Sequence, residues 1–166
     1  MSAAVPFLVE NLATRGLAGS IGFDPLGLSN GPLPIEWMQE AEIKHGRVCM
    51  LAVLGMLVPE VITLPGREFS AIAAHDAGVT SGAMSQMLLW IGILETVALI
   101  GTMQMLNGSG RKPGDFGFDP LNFGTGKDAV RLQVAEIKNG RLAMLAFSGM
   151  ITGAALSGNG FPFIYS

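Results

Sequence analysis

One cysteine, one tyrosine and no run of lysine or arginine in 166 residues set the first limits on this chain. A lone Cys49 excludes an internal disulfide and any cysteine-based metal cluster within the chain. It reads as a small buried helix residue, because a second copy of its segment carries Ala143 at the same place. A net charge of -3 with no basic patch excludes nucleic acid as a partner. Charge of either sign is scarce, at 14% of residues, where ordinary soluble domains carry about 25%. No activated nucleophile stands out, so the chain reads as a non-enzyme. The start, M-S-A-A-V-P-F-L, lacks a basic stretch followed by an apolar one, and any targeting leader is expected to have been removed already.

What is present points to a membrane. Apolar residues make up 49% of the chain, and its mean hydropathy is +0.47. Glycine is abundant, at 23 residues, and small residues let helices approach closely in lipid. Ten methionines add soft, adaptable apolar surface. Three segments, residues 35–63, 81–106 and 127–157, are long enough to cross a bilayer, which takes about 20 residues as helix. Gly- and Pro-containing stretches at residues 64–66 and 107–114 separate them as turns and loops. The first 34 residues are expected to lie along the membrane surface as amphipathic segments, and residues 1–166 to form a single domain.

The first and third segments contain an internal repeat. E-I-K-H-G-R-V-C-M-L-A at residues 42–52 matches E-I-K-N-G-R-L-A-M-L-A at residues 136–146 in eight of eleven positions. Upstream of each stands the same turn, G-F-D-P-L, at residues 22–26 and 117–121. The repeated unit is a turn plus a helix, and the middle helix has no copy. The expected fold is therefore all-α, with three transmembrane helices, the first and third crossing about a pseudo-two-fold axis and the second packed beside them.

Each copy sets Glu and Arg five residues apart, Glu42 with Arg47 and Glu136 with Arg141. Five residues is about 140° of helical rotation, so the two charges of one copy do not face each other. Charges in hydrocarbon are costly unless paired. Across a two-fold crossing Glu42 can meet Arg141, and Glu136 can meet Arg47. Gly46 and Gly140, one turn beyond each Glu, would allow the close approach that such pairs need. A carboxylate paired to one Arg keeps spare lone pairs, and three residues on stand His45 or Asn139 on the same face. Carboxylate, imidazole and amide donors placed singly suit a hard metal that takes one axial ligand per centre, such as magnesium in a macrocycle. They do not make a zinc cage, since the only other histidine, His75, is expected in a loop.

The paired E-I-K-[HN]-G-R segments, each preceded by G-F-D-P-L and joined by a middle helix bearing Gln and Glu, resemble the three-helix chlorophyll-binding light-harvesting antenna proteins of plastids. The resemblance spans residues 22–158. The opening V-P-F-L, the short loops and R-K-P-G-D-F-G-F-D-P look more like the red-lineage algal branch, with its fucoxanthin and chlorophyll a/c proteins, than like green-plant chlorophyll a/b antennae. The resemblance implies chlorophyll magnesium ligands at Glu42, His45, Gln86, Glu95, Glu136 and Asn139, with Arg47 and Arg141 as supporting ion-pair partners. It places carotenoid ends near Asp24 and Asp119, although an Asp-Pro turn also explains both aspartates structurally. It implies chlorophyll a, chlorophyll c and a xanthophyll as cofactors, with no metal beyond the chlorophyll magnesium. The implied setting is the plastid thylakoid membrane, multi-pass, among lipids, other antenna subunits and a photosystem core, with photosystem I favoured over photosystem II. Two departures stand out. Green-plant relatives have an Arg soon after the middle-helix Glu, where this chain reads T-V-A-L, and the usual Gln or His late in the last helix gives way to I-T-G-A-A-L.

Two other readings compete. A proton or ion relay through Glu42, Glu95 and Glu136 would use the same intramembrane carboxylates. It does not explain why they are duplicated around Arg. A photoprotective protein that binds the same pigments and dissipates their energy as heat is poorly separated from an antenna by sequence, although acidic loop clusters that would sense luminal pH do not stand out here.

Overall fold

The computed structural model describes residues 12–62, 65 and 71–162. The opening V-P-F-L and most of the turn at residues 64–66 lie outside these. Among the described residues all regular structure is helical: two 3-10 turns, Leu12–Thr14 and Leu28–Asn30, and four α-helices. These are α1 (Ile35–Val61), α2 (Ala71–Thr80), α3 (Ala83–Leu106) and α4 (Ala129–Ser157).

The second expected segment corresponds to α3 and the third to α4, each within two residues of its expected start. The short helix α2 corrects the expected loop: His75 sits on it, with Nδ1 3.1 Å from Asp76 Oδ1. Its Ala-rich sequence favours helix locally, and it turns at Ser81 and Gly82 straight into α3.

By length and composition α3 and α4 can cross a membrane. α1 is long enough, at 27 residues. Its first half, however, carries Glu36, Glu40, Glu42, Lys44 and Arg47, and it does not reach the same apolarity. Composition thus supports two of the three expected spans, and the third depends on how those charges are met.

The frame is the crossing of α1 and α4, by far the most extensive helix–helix contact. At its centre the backbones touch: a Cβ built on Gly46 would lie 3.0 Å from the Gly140 Cα, and one built on Gly140 would lie 3.0 Å from the Gly46 Cα. Only glycine permits that approach, and the repeat supplies it twice. Ile43 and Ile137, one on each helix, are buried against the crossing.

Among the described residues little else is buried. The chain exposes 11941 Å², against about 7,900 Å² for a compact soluble protein of this mass. Leu88, Leu89, Trp90, Leu94 and Val97 of α3 are all exposed, and only Thr102 and Met105, near its end, are buried. A surface so apolar belongs in hydrocarbon or against apolar ligands.

Candidate functional site

The two arginines of the repeat reach across the crossing in the same way. Arg47 Nε donates to Glu136 Oε1 at 2.6 Å, and Arg141 Nε donates to Glu42 Oε1 at 2.7 Å. Each also holds a loop: Arg47 Nη1 donates to the Gly114 carbonyl and Arg141 Nη1 to the Gly19 carbonyl, both at 2.9 Å. Gly114 precedes α4 and Gly19 precedes α1, so each arginine ties the opposite helix to the turn that leads into it. Both glycines have positive φ, 78° and 68°. A Cβ on Gly114 would meet Ile43 Cδ1 at 2.9 Å, and one on Gly19 would meet Ile137 Cγ2 at 3.1 Å. The sequence carries this signal, because the repeated turn extends three residues upstream as G-x-x-G-F-D-P. It is easily missed, since what is recognised is a backbone carbonyl.

Among the described residues, Glu42 and Glu136 each use one carboxylate oxygen in this way, and Oε2 of each has no hydrogen-bond partner. Such an oxygen is available as a metal ligand. His45 is exposed on α1, and its Nδ1 lies 2.7 Å from the Ala41 carbonyl. A carbonyl can only accept, so Nδ1 carries the proton and the Nε2 lone pair is left free to coordinate. Asn139 is exposed at the matching place on α4, and Gln86 is exposed in the first turn of α3.

Glu95, on α3, is 54% exposed and receives Lys44 Nζ from α1 at 2.7 Å. Its partner is thus a lysine of another helix, not a residue of α3 itself. Sequence reasoning missed this pairing because it joins a repeated residue to the one helix that has no copy.

Asp24 and Asp119 clamp the turns they stand in. Asp24 accepts from Leu28 N at 3.0 Å and Ser29 N at 3.1 Å, and Asp119 from Phe123 N at 3.0 Å and Gly124 N at 2.6 Å. This is side-chain capping of backbone donors, made identically in both copies.

Two grooves open beside the crossing, one per copy. The larger, about 1070 Å³, brings together Arg47, Glu136, Asp119 and Gln133 with Phe116, Phe118 and Phe123. The smaller, about 420 Å³, brings together Arg141, Glu42, Asp24 and Gln39 with Phe23, Leu28 and Met38. His45, Asn139, Gln86 and Glu95 line neither groove.

A further buried pair was not foreseen. Glu40, only 4% exposed, accepts from Arg111 Nη2 at 3.0 Å and from the Gly114 backbone N–H at 2.6 Å. Arg111 also donates to the Asp115 carbonyl and stacks over the Phe116 ring, 4.6 Å from its centroid. The loop that walls the larger groove is thereby anchored to α1.

The profile of the chlorophyll A-B binding protein family matches residues 10–155 of the chain, a stretch that holds every one of these residues. The chain belongs to this family. The chloroplastic fucoxanthin-chlorophyll a-c binding protein of Chattonella marina var. antiqua is 39% identical over 89% of the chain and 72% of its own length. That of Isochrysis galbana is 33% identical over 82% of the chain and 73% of its own length. Photosystem I chlorophyll a/b-binding protein 6 of Arabidopsis thaliana is 34% identical over 80% of the chain, which spans only 57% of that relative. Within a chlorophyll-binding family, singly placed carboxylate, imidazole and amide donors fit a metal that arrives with its own equatorial ring. Among the described residues no group of three or more His, Cys, Asp or Glu converges to hold a bare ion.

Proposed function

We propose that the protein is a light-harvesting antenna subunit, which holds chlorophylls and carotenoids at fixed spacing and passes excitation energy to a photosystem core. The observation that carries this reading is the pair of cross-bridged carboxylates. Each is neutralised by the opposite arginine and keeps one oxygen free, beside a matching groove. Bound chlorophyll supplies the light absorption. The chain's own residues fix where it sits and how it is turned.

Glu42, Glu136, His45, Asn139, Gln86 and Glu95 serve as the magnesium ligands, with Arg47 and Arg141 supporting the first two. The grooves at Asp24 and Asp119 hold carotenoid ends, the aspartates keeping the turns in shape. The names of the two algal relatives favour chlorophyll a with chlorophyll c and a xanthophyll. No bond-making step is assigned to any residue.

The protein crosses the plastid thylakoid membrane three times, with α1 as the third span. In support, the α1 charges Glu40, Glu42, Lys44 and Arg47 all have partners of opposite sign on other elements, which removes most of the cost of placing them in lipid. The reciprocal contacts of Arg47 and Arg141 support a pseudo-two-fold relation between α1 and α4, and residues 1–166 make one domain. Its partners are thylakoid lipids, other antenna subunits and a photosystem core, with photosystem I favoured by the Arabidopsis relative.

The absorption and fluorescence excitation spectra of the purified protein test this. Red-region chlorophyll bands are expected, together with chlorophyll a emission when the carotenoid is excited. A colourless protein, or bound pigments between which no energy passes, would refute it.

A further inference from the structure

Among the described residues, three carboxylates accept a cation from another helix: Glu42 from Arg141, Glu136 from Arg47, and Glu95 from Lys44. In each the cation engages a single oxygen, and among the described residues the second oxygen has no hydrogen-bond partner. The construction is the same, but the third is assembled from different parts. Lys44 belongs to the repeat, whereas Glu95 lies on α3, outside it. The repeat's other lysine, Lys138, is exposed and has no ion-pair partner among the described residues. One of two equivalent lysines has thus been taken into service.

We infer that Lys44 is the positioning residue of a third ligand site: it neutralises Glu95 through Oε2 and leaves Oε1 as the lone-pair donor to a chlorophyll magnesium. This rests on the reading of Glu95 as a chlorophyll ligand. The macrocycle with its magnesium is neutral overall, so an anionic ligand would leave a net charge on the most lipid-exposed helix of the protein. A paired ammonium cancels it. A lysine suits this position because its four-carbon stem lets an α1 backbone reach α3, whereas an intrahelical arginine would leave the two helices untied.

The test is refolding of the chain with extracted chlorophylls and xanthophylls, followed by pigment counting and absorption spectroscopy. K44M is expected to lose one chlorophyll per chain with its red-region band, K44R to keep it, and K138M to lose nothing. K44M/E95Q should recover the pigment, because a neutral amide needs no cation. That recovery carries the inference whether K44M alone drops one chlorophyll or fails to assemble.

Unchanged pigment in K44M would overturn it. So would a loss that E95Q does not repair, which is what a merely structural tie between α1 and α3 would give. Full pigment in E95L would overturn it at its root by removing Glu95 from the ligands, while leaving the antenna reading intact. That reading fails separately, if the unmodified chain takes up no chlorophyll.

Discussion

The α1 half and the α4 half of this protein share a skeleton and differ in its furnishing. Common to both are the arginine that bridges to the opposite glutamate, its grip on a glycine carbonyl, the aspartate-clamped turn and the glycine at the crossing. The differences lie around that frame. His45 stands where the other copy has Asn139, Lys44 is paired where Lys138 has no ion-pair partner among the described residues, and Glu40 anchors one loop where the matching residue, Val134, could anchor nothing. The grooves follow suit, at about 1070 and 420 Å³. What is duplicated holds the helices together, and what has diverged distinguishes the sites around them.

The largest effect should come from breaking what the halves share. Arg47→Leu strands Glu136 and releases the Gly114 carbonyl, and a charge left unpaired in a membrane helix costs about 2.5–3.5 kcal/mol. Stable pigmented protein should not form. Arg47→Leu with Glu136→Gln should recover part of the thermal stability, and a double-mutant cycle without coupling would refute the cross-pairing.

A smaller, one-sided effect is expected of Glu40→Leu. It leaves Arg111 and the Gly114 N–H without their buried acceptor, at a cost of about 1–3 kcal/mol. Carotenoid bands and melting temperature should shift as the larger groove loosens, with pigments of the smaller groove unaffected. An equal disturbance of both grooves would mean that Glu40 supports the whole crossing.

The smallest effect sharpens the comparison instead of breaking it. His45→Leu and Asn139→Leu should each remove one chlorophyll, with little loss of stability, and the difference spectra should peak at different wavelengths. Identical difference spectra would show that the imidazole and amide sites are equivalent. Unchanged pigment stoichiometry in either variant would exclude that residue as a ligand.

The crossing was legible in sequence because its parts are local and repeated. E-I-K-x-G-R occurs twice, and the five-residue spacing of Glu and Arg forbids pairing within one helix. Charge balance then names the partners. Three features resisted the same reasoning. The arginine–carbonyl contacts end on backbone, which has no letter of its own. Glu40 with Arg111 and Lys44 with Glu95 are distant in sequence and occur once, so no repeat exposes them. α2 is too short and too evenly apolar to show a helical stripe. The α1 charges had the opposite effect, lowering its apolarity although four of them are met by partners from elsewhere in the chain.

The reciprocal bridges also set an order of events for a chain that is made from one end. Arg141 lies 99 residues beyond Glu42 and 122 beyond the Gly19 carbonyl that it holds. Until α4 has been synthesised, Glu42 and Arg47 of α1 lack their partners, and the Gly19 carbonyl lacks the guanidinium that holds it. Contacts so far apart in sequence pay their loop-closure cost before they return anything, which makes them slow to form. The half-made protein therefore holds two charges and one carbonyl whose partners all lie on the last helix to arrive.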